Sequence, residues 1–168
     1  MTPELHRPLR WGAVGPAGRQ ERIVATPAEC AALARRFGIP AIAAFAAVLS
    51  LRPDRDGAIR AEGRIEAEVT QCCVVSLEPV GQRLSAPVLL RFLPPGAEPD
   101  DDPESPDEIE TDGETIDLGE AVAEQLALAL DPYPRHPEAA LPPEATDAPA
   151  PEPPRPSAFA ALARLRRG

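Results

Sequence analysis

The sequence predicts an α+β protein, with an antiparallel sheet of about five strands and one or two packed helices. Three observations support this class. The stretch "TPAECAALARRFG" has the punctuation of a helix, long alternating stretches begin at Ile59, and helical spacing returns near Asp117. A length of 168 residues suits one domain with appendages.

The first half of the chain holds the first predicted strands and helix. "ELHRPLRW" and "RQERIVAT" are expected to be short strands on either side of a turn rich in glycine. Thr26 suits the helix N-cap, Pro27 suits the first helical position, and Glu29 completes a capping box. Gly38 is expected to end this helix. "AIAAFAAVLSLR" fits a buried helix or a strand, and the flanking proline and "RPDRDG" turn favour a strand.

Alternation then predicts an antiparallel pair of strands. From Ile59 to Val69 every second residue is apolar or glycine, and most residues between them are arginine or glutamate. "EPVGQR" is expected to turn the chain, and "LSAPVLLRFL" to return with one apolar face. If the alternation continues, Cys73, Val75 and Leu77 lie on the apolar face of the first strand.

The second half is expected to be less ordered. Residues 94–115 are acidic and poor in apolar residues, which is typical of a disordered loop. A helix is expected over 117–131, with Asp117 near its N-terminal end. Residues 138–156 are rich in proline and alanine and predict a flexible, disordered linker, while 157–168 predict a short basic amphipathic tail. The apolar residues of the expected helix are Leu118, Val122, Leu126, Leu128 and Leu130.

Charge is divided unevenly along the chain, whose net charge is −10. Residues 1–93 hold 12 arginines and 9 acidic residues, whereas residues 94–134 hold 14 acidic residues and no basic one. This asymmetry fits a partner that is a nucleic acid or a basic protein. A solvated linker beside an ordinary domain is the simpler interpretation of charge alone.

The sequence shows no segment that targets or crosses a membrane. The N-terminus "MTPELHRPLRWGAVG" has no apolar signal-peptide region, and no apolar run approaches the roughly 20 residues that span a bilayer. Three cysteines, an odd count, are typical of reduced thiols. We therefore expect a cytoplasmic protein with no membrane partner.

Residue types that catalyse reactions or bind metals form no recognisable constellation, so we expect no enzyme, metal or other cofactor. Cys72 and Cys73 are adjacent, and adjacent strand residues point to opposite faces, where they do not readily chelate one ion. A core position is the favoured interpretation of these cysteines, over a metal or redox site. His6 and His136 lack the spacing of a ligand pair, and no nucleotide-binding or nucleophile motif is present.

Support for nucleic-acid binding is modest. Arg60 and Arg64 share a strand face with three glutamates, which indicates cross-strand charge pairing rather than a track for phosphates. Tyr133 and Arg135 in "DPYPRHP" could stack on a base or bind phosphate, or the prolines could simply end the helix. The C-terminal "RLRR" is a small basic patch of the kind that adds affinity without specificity.

The order of these motifs resembles that of a known family. An alternating strand that runs into "QCCVVSLEPV", an acidic stretch, "IDLGEAVAEQLALALDPYPRHP" and a terminal "SAFAALARLRR" follow one another as in the YceD family. These are the large ribosomal RNA subunit accumulation proteins of bacteria and plastids, and the resemblance is greatest to alphaproteobacterial members. It covers most of residues 4–137 and the last ten or so. The matching residues are Gln71, Cys73, Leu77, Glu78, Ile116, Asp117, Leu118, Gly119, Pro132, Tyr133, Pro134, Arg135 and Pro137.

The resemblance implies an α+β domain over residues 1–137 and a role in the production or maturation of large-subunit ribosomal RNA, with no known catalytic activity. Many relatives carry Cys-x-x-Cys where this chain has Thr70 to Cys73. Since the first cysteine is missing here, a zinc role in those relatives does not transfer to this chain.

The expected function is therefore that of a non-enzymatic ribosome-biogenesis factor. Its expected partner is large-subunit ribosomal RNA precursor or a ribosome-assembly protein, and its acidic loop is expected to contact basic ribosomal proteins or repel off-target RNA. The alternative is an adaptor that binds only protein and recruits an RNA-processing enzyme. An enzyme with a hidden metal site ranks last, because the sequence holds no ligand set. The candidate interaction residues are Gln71, Cys73, Asp117, Tyr133, Pro134 and Arg135.

Overall fold

The structure, a computed structural model, describes residues 3–99, 106–111 and 113–140. It confirms the α+β class with two helices. The strands are β1 (Pro8–Arg10), β2 (Arg19–Val24), β3 (Ala41–Pro53), β4 (Ile59–Cys72), β5 (Pro79–Leu93), β6 (Asp107–Glu110) and β7 (Thr115–Asp117). The helices are α1 (Pro27–Phe37) and α2 (Leu118–Ala129). The tail at 157–168 and most of the linker expected over 138–156 lie outside the described residues.

The main sheet has five strands in the order β2-β3-β4-β5-β6. The pairs from β2 to β5 are antiparallel, as expected, and β3, which fits either structure by sequence, is a strand. The fifth strand differs, because β6 runs parallel to β5, with Leu90 opposite Asp107. The sheet is therefore mixed, and the expectation of an antiparallel sheet is wrong at this edge. Thirteen residues separate β5 from β6, which is enough for the connection that a parallel neighbour requires.

Strand β6 lies inside the acidic segment that we expected to be disordered. An ion pair between Glu108 and the buried Arg91 favours this strand. Arg91 Nη1 donates to Glu108 Oε1 at 2.5 Å, and the Arg91 side chain is 9% exposed. Ile109 packs against the core beside it. The expectation of disorder over 94–115 is therefore wrong for β6 and the start of β7, while residues 100–105 and 112 lie outside the described part.

One face of the main sheet carries the core. The apolar residues of β4 point to this face as predicted, and each is at most 5% exposed; they are Ile59, Ala61, Ile65, Ala67 and Val69. Helices α1 and α2 pack on the same core, α1 through Leu33 and α2 through Val122 and Leu126. Leu128, expected on the apolar face of α2, is 75% exposed because it lies about 200° around the helix from Leu126.

Helix α1 begins and ends as the sequence predicts. Thr26 Oγ1 accepts from the Glu29 N–H at 3.3 Å, and Glu29 Oε2 accepts from the Thr26 N–H at 2.7 Å, which completes the capping box. Gly38 follows the helix in the left-handed conformation, with φ of 66°.

The N-terminal segment crosses the molecule and pairs with β7, not with the neighbouring β2. In the β1–β7 pair, Pro8 lies opposite Asp117. Arg7 binds Glu29 through two hydrogen bonds of 2.7 and 3.0 Å, and this guanidinium is the main cause that lowers the pKa of Glu29 to about 2. The segment also lies close to α2, since a Cβ on Gly119 would be 2.2 Å from the Leu5 carbonyl oxygen.

Candidate functional site

The turn between β4 and β5 brings most of the candidate interaction residues together. Strand β4 ends at Cys72 and β5 begins at Pro79, so the turn comes earlier than "EPVGQR". The Cys73 carbonyl accepts from the Leu77 N–H at 2.9 Å, and the Cys73 N–H donates to the Glu78 carbonyl at 2.8 Å. Leu77 has φ of 62° and is 77% exposed. Its expected place on the apolar face is wrong, because the chain leaves the strand before it.

The residues that follow α2, which we call the post-helix segment (131–136), are fixed to this turn. Gln71 Nε2 donates to the Asp131 carbonyl at 2.9 Å, and the Val74 N–H donates to the Pro134 carbonyl at 2.8 Å. Gln71 is 6% exposed, and its Oε1 has no partner among the described residues. The segment "DPYPRH" contains two prolines and so has few backbone donors of its own. Its position is therefore set largely by the turn.

The thiol of Cys73 accepts from three backbone N–H groups. Its Sγ lies 3.4 Å from the nitrogens of Val75 and Ser76 and 3.3 Å from the nitrogen of His136. The N–H of His136, followed by the hydroxyl and N–H of Ser76, favours the thiolate and lowers the pKa of Cys73 to about 6. Cys73 is fully buried, as a core position requires, but it acts there as a polar acceptor that joins the turn to the post-helix segment.

Tyr133 and Arg135 project from the post-helix segment into solvent. Tyr133 is 72% exposed, and Arg135 is also exposed, while Pro134 between them is buried. The Tyr133 N–H donates to Asp131 Oδ1 at 2.9 Å, which fixes the backbone that carries the ring. Within the described part of the chain, no carboxylate pairs with Arg135. An exposed ring and an unpaired guanidinium on a fixed backbone are groups that single-stranded RNA-binding proteins use.

Asp117 lies away from this site and has a structural role. Its Oδ1 accepts from the N–H groups of Arg7, Gly119 and Glu120 at 2.8, 3.0 and 3.3 Å, so it caps α2 and holds the N-terminal segment. Its Oδ2 lies 2.5 Å from Nδ1 of the half-exposed His6. Burial raises the pKa of Asp117, but these bonds together lower it below its usual value. The 12 residues of α2 place it about 18 Å from the post-helix segment.

The remaining cysteines and histidines give no second site. Cys72 is exposed and Cys30 is buried, and both are free thiols. Across residues 3–99, 106–111 and 113–140, no group of three or more His, Cys, Asp or Glu side chains is placed to hold a metal ion. In the same residues, no helix has the length and apolar character needed to cross a membrane.

Sequence reasoning missed three members of this site: Asp131, Val74 and His136. Each contributes backbone atoms to the hydrogen bonds of the site. Almost any residue type can supply a backbone N–H or carbonyl, so the sequence does not reveal such a role. The signal that could have pointed to them is the proline spacing of "DPYPRHP", since such a segment must find its hydrogen-bond partners elsewhere.

Comparison with known proteins agrees with the resemblance in the sequence. Residues 61–166 match the family model described as "Large ribosomal RNA subunit accumulation protein YceD". No curated protein and no solved structure gives a significant match. The family match spans more than half of the 168 residues and includes most of β4, the turn, β5, α2 and the post-helix segment. The chain therefore belongs to the YceD family, whose name implies a role in the accumulation of large-subunit ribosomal RNA.

Proposed function

We propose that this chain supports the accumulation of large-subunit ribosomal RNA by binding its precursor, without catalysing a reaction on it. The observation that carries the proposal is the post-helix segment, which presents Tyr133 and Arg135 on a backbone fixed to the β4–β5 turn. The family name supplies the class of RNA.

The two side chains suit different parts of an RNA strand. A base stacked on Tyr133 would contribute on the order of 1–3 kcal/mol. The guanidinium of Arg135 can form paired hydrogen bonds to a phosphate or to a guanine edge. Because the backbone is already held by Gln71, Cys73 and Val74, little conformational entropy is lost when RNA binds.

The test is crosslinking and sequencing of RNA bound to the tagged full-length protein in cells. We expect a sharp footprint on the large-subunit precursor that a Tyr133→Ala/Arg135→Ala variant loses. Arg35→Ala, which removes an exposed arginine from α1, is the matched control and is expected to keep the footprint. A footprint no sharper than background, or one that the double variant retains, would refute the proposal.

A protein-only adaptor that recruits an RNA-processing enzyme is the second candidate. It is favoured by apolar side chains exposed on the turn and on the last turn of α2: Val74 is 46%, Leu77 77% and Leu128 75% exposed. In that case, nuclease-treated extracts would yield a ribosome-assembly protein or nuclease with the tagged chain. The Leu77→Ser variant would no longer bind that protein. RNA crosslinks would stay at background in the unaltered chain and in the variant.

A further inference from the structure

We propose that one end of the exposed sheet face binds the sugar-phosphate backbone of the same RNA. This surface, the arginine face, consists of Arg22 on β2, Arg52 on β3, Arg55 in the β3–β4 turn and Arg64 on β4. The inference rests on the proposed function and adds a contact at the opposite end of β4 from the post-helix segment. The strands are open to solvent here, since Val48 is 50% and Leu89 41% exposed on this face.

Strand register places two of these arginines in one row. Arg22 lies opposite Val48, which lies opposite Arg64, so the two arginines flank Val48 about 10 Å apart across two strand spacings. Arg64 Nη1 donates to the hydroxyl of Ser85 at 2.8 Å, a neutral partner that orients the guanidinium without cancelling its charge.

A second row holds three arginines side by side. Arg52 lies opposite Arg60, which lies opposite Arg91. Like charges directly opposite each other destabilise a sheet, so this row needs neutralisation. Arg60 has Glu62 at 2.5 Å and the buried Arg91 has Glu108 at 2.5 Å, but Arg52 has no carboxylate within 4.0 Å among the described residues. The row thus keeps an exposed positive charge.

The unpaired arginines stand out because acidic residues are plentiful in this chain. It has 27 acidic residues, and six arginines of the described part form ion pairs with them: Arg7, Arg19, Arg36, Arg60, Arg83 and Arg91. In that same part no ion pair reaches the four members of the arginine face, all of which are exposed. The remaining arginines without an ion pair there lie on other elements and are Arg10, Arg35 and Arg135.

Carboxylates also lie on or beside this face, but Arg60 holds Glu62, and Arg91 holds Asp54 and Asp56. Arg64 bonds Ser85 and does not form the charge pair expected from the sequence, which leaves Glu66 as the exposed glutamate next to it. Four guanidinium groups without an ion pair outnumber that one carboxylate, and this local surplus of positive charge favours RNA backbone as the occupant.

Four separated guanidinium groups match spaced phosphates, and among the described residues this face offers no aromatic ring on which a specific base would stack. The expected contribution is therefore independent of base sequence and sensitive to salt. Stacking of a base on Tyr133 in the post-helix segment would supply the part of the binding free energy that depends least on salt.

The experiment measures the affinity of the full chain for in vitro transcribed large-subunit precursor RNA as a function of salt concentration. The test variant replaces the four members of the arginine face by glutamine. The matched control replaces Arg10, Arg19, Arg35 and Arg83 by glutamine, which changes the net charge equally. Thermal unfolding of each protein checks that it is folded.

If each of the four arginines neutralises one phosphate, the slope of log K against log salt becomes shallower by about 3 in the test variant. Relative to 1 M salt, where charge contributes little, affinity at 0.1 M salt then falls by on the order of 1,000-fold. The control is expected to keep most of the slope. Equal slopes in the two variants would overturn the inference, because net charge alone would then explain the effect. So would loss of an acidic protein partner by the test variant with unchanged RNA binding. Failure of the unaltered chain to bind any transcript would refute the proposed function itself.

Discussion

Replacing Asp117 by alanine tests whether this residue belongs to the fold or to the interaction surface. The change removes the N-cap of α2, a loss of about 0.5–2 kcal/mol. It also leaves the half-buried Arg7 N–H without its acceptor, which lowers the free energy of unfolding by about 1–3 kcal/mol more. The His6 contact adds little, since that side chain is 50% exposed. We expect the free energy of unfolding to fall by about 1.5–5 kcal/mol, a large share of a typical domain's stability.

The assay is urea unfolding followed by circular dichroism. Asp117→Asn keeps an oxygen acceptor and is expected to lose less, and Glu124→Ala, an exposed change on the same helix, is expected to be nearly neutral. A loss of under about 0.5 kcal/mol in Asp117→Ala, accompanied by loss of RNA binding, would contradict the structural role and return Asp117 to the interaction surface.

The stabilising effect of Asp117 also has a predictable pH dependence. Its pKa is lower in the folded chain than the ordinary value of 3.8, so its contribution is complete above about pH 4. The contribution is lost as the pH falls through the folded-state pKa. The stability difference between the unaltered chain and Asp117→Ala is therefore expected to shrink below about pH 4.

Three other changes have expected outcomes. Gly63→Ala places a Cβ 1.9 Å from the Val48 carbonyl oxygen and is expected to lower the free energy of unfolding by about 1–3 kcal/mol in urea, whereas Gly81→Ala, with no atom within 4 Å, should be nearly neutral. Cys73→Ser removes a thiolate whose pKa is about 6 when folded and near 9 when unfolded. Its stability deficit should therefore grow from pH 6 to pH 9, and a deficit independent of pH would count against the thiolate. Replacing the four acidic residues of 100–104 by their amides is expected to raise affinity for unrelated RNA at low salt, as fluorescence anisotropy would show; unchanged affinity would contradict the repulsion that we expected of this segment.

Features set by neighbouring residues could be predicted from the sequence. Thr26, Glu29 and Gly38 identify both ends of α1 because caps depend on side chains within a few positions. The prediction of β4 from its alternating pattern is confirmed for the same reason. A strand with one covered face buries every second residue, as β4 does from Ile59 to Val69.

Features set by distant residues could not be predicted. Strand β6 looks disordered in isolation, and its ion pair with the buried Arg91 and the packing of Ile109 on the core favour the strand. The sequence predicts the turn at "EPVGQR", after its true position at Cys73, because an alternating pattern does not indicate where a strand ends. Its end depends on the Pro134 carbonyl and the His136 N–H, which belong to another part of the chain.

The candidate site shows the same division. The sequence pointed to Gln71, Cys73 and the "PYPR" stretch, and the structure brings these together at one turn. It could not indicate that Asp117 caps α2 at a distance from this turn, because an N-cap aspartate and a ligand-binding aspartate look alike in sequence.

The pairing of β1 with β7 has a consequence for the order of folding. Arg7 and Asp117 are 110 residues apart, and Cys73 and His136 are 63 apart, so each contact closes a long loop. Closing such loops costs chain entropy before any contact offsets it, which slows folding. The antiparallel strands β2 to β5 can pair earlier, since β4 and β5 are joined by a short turn. A growing polypeptide would thus complete its sheet first and form the candidate interaction site only after residue 136 has been synthesised.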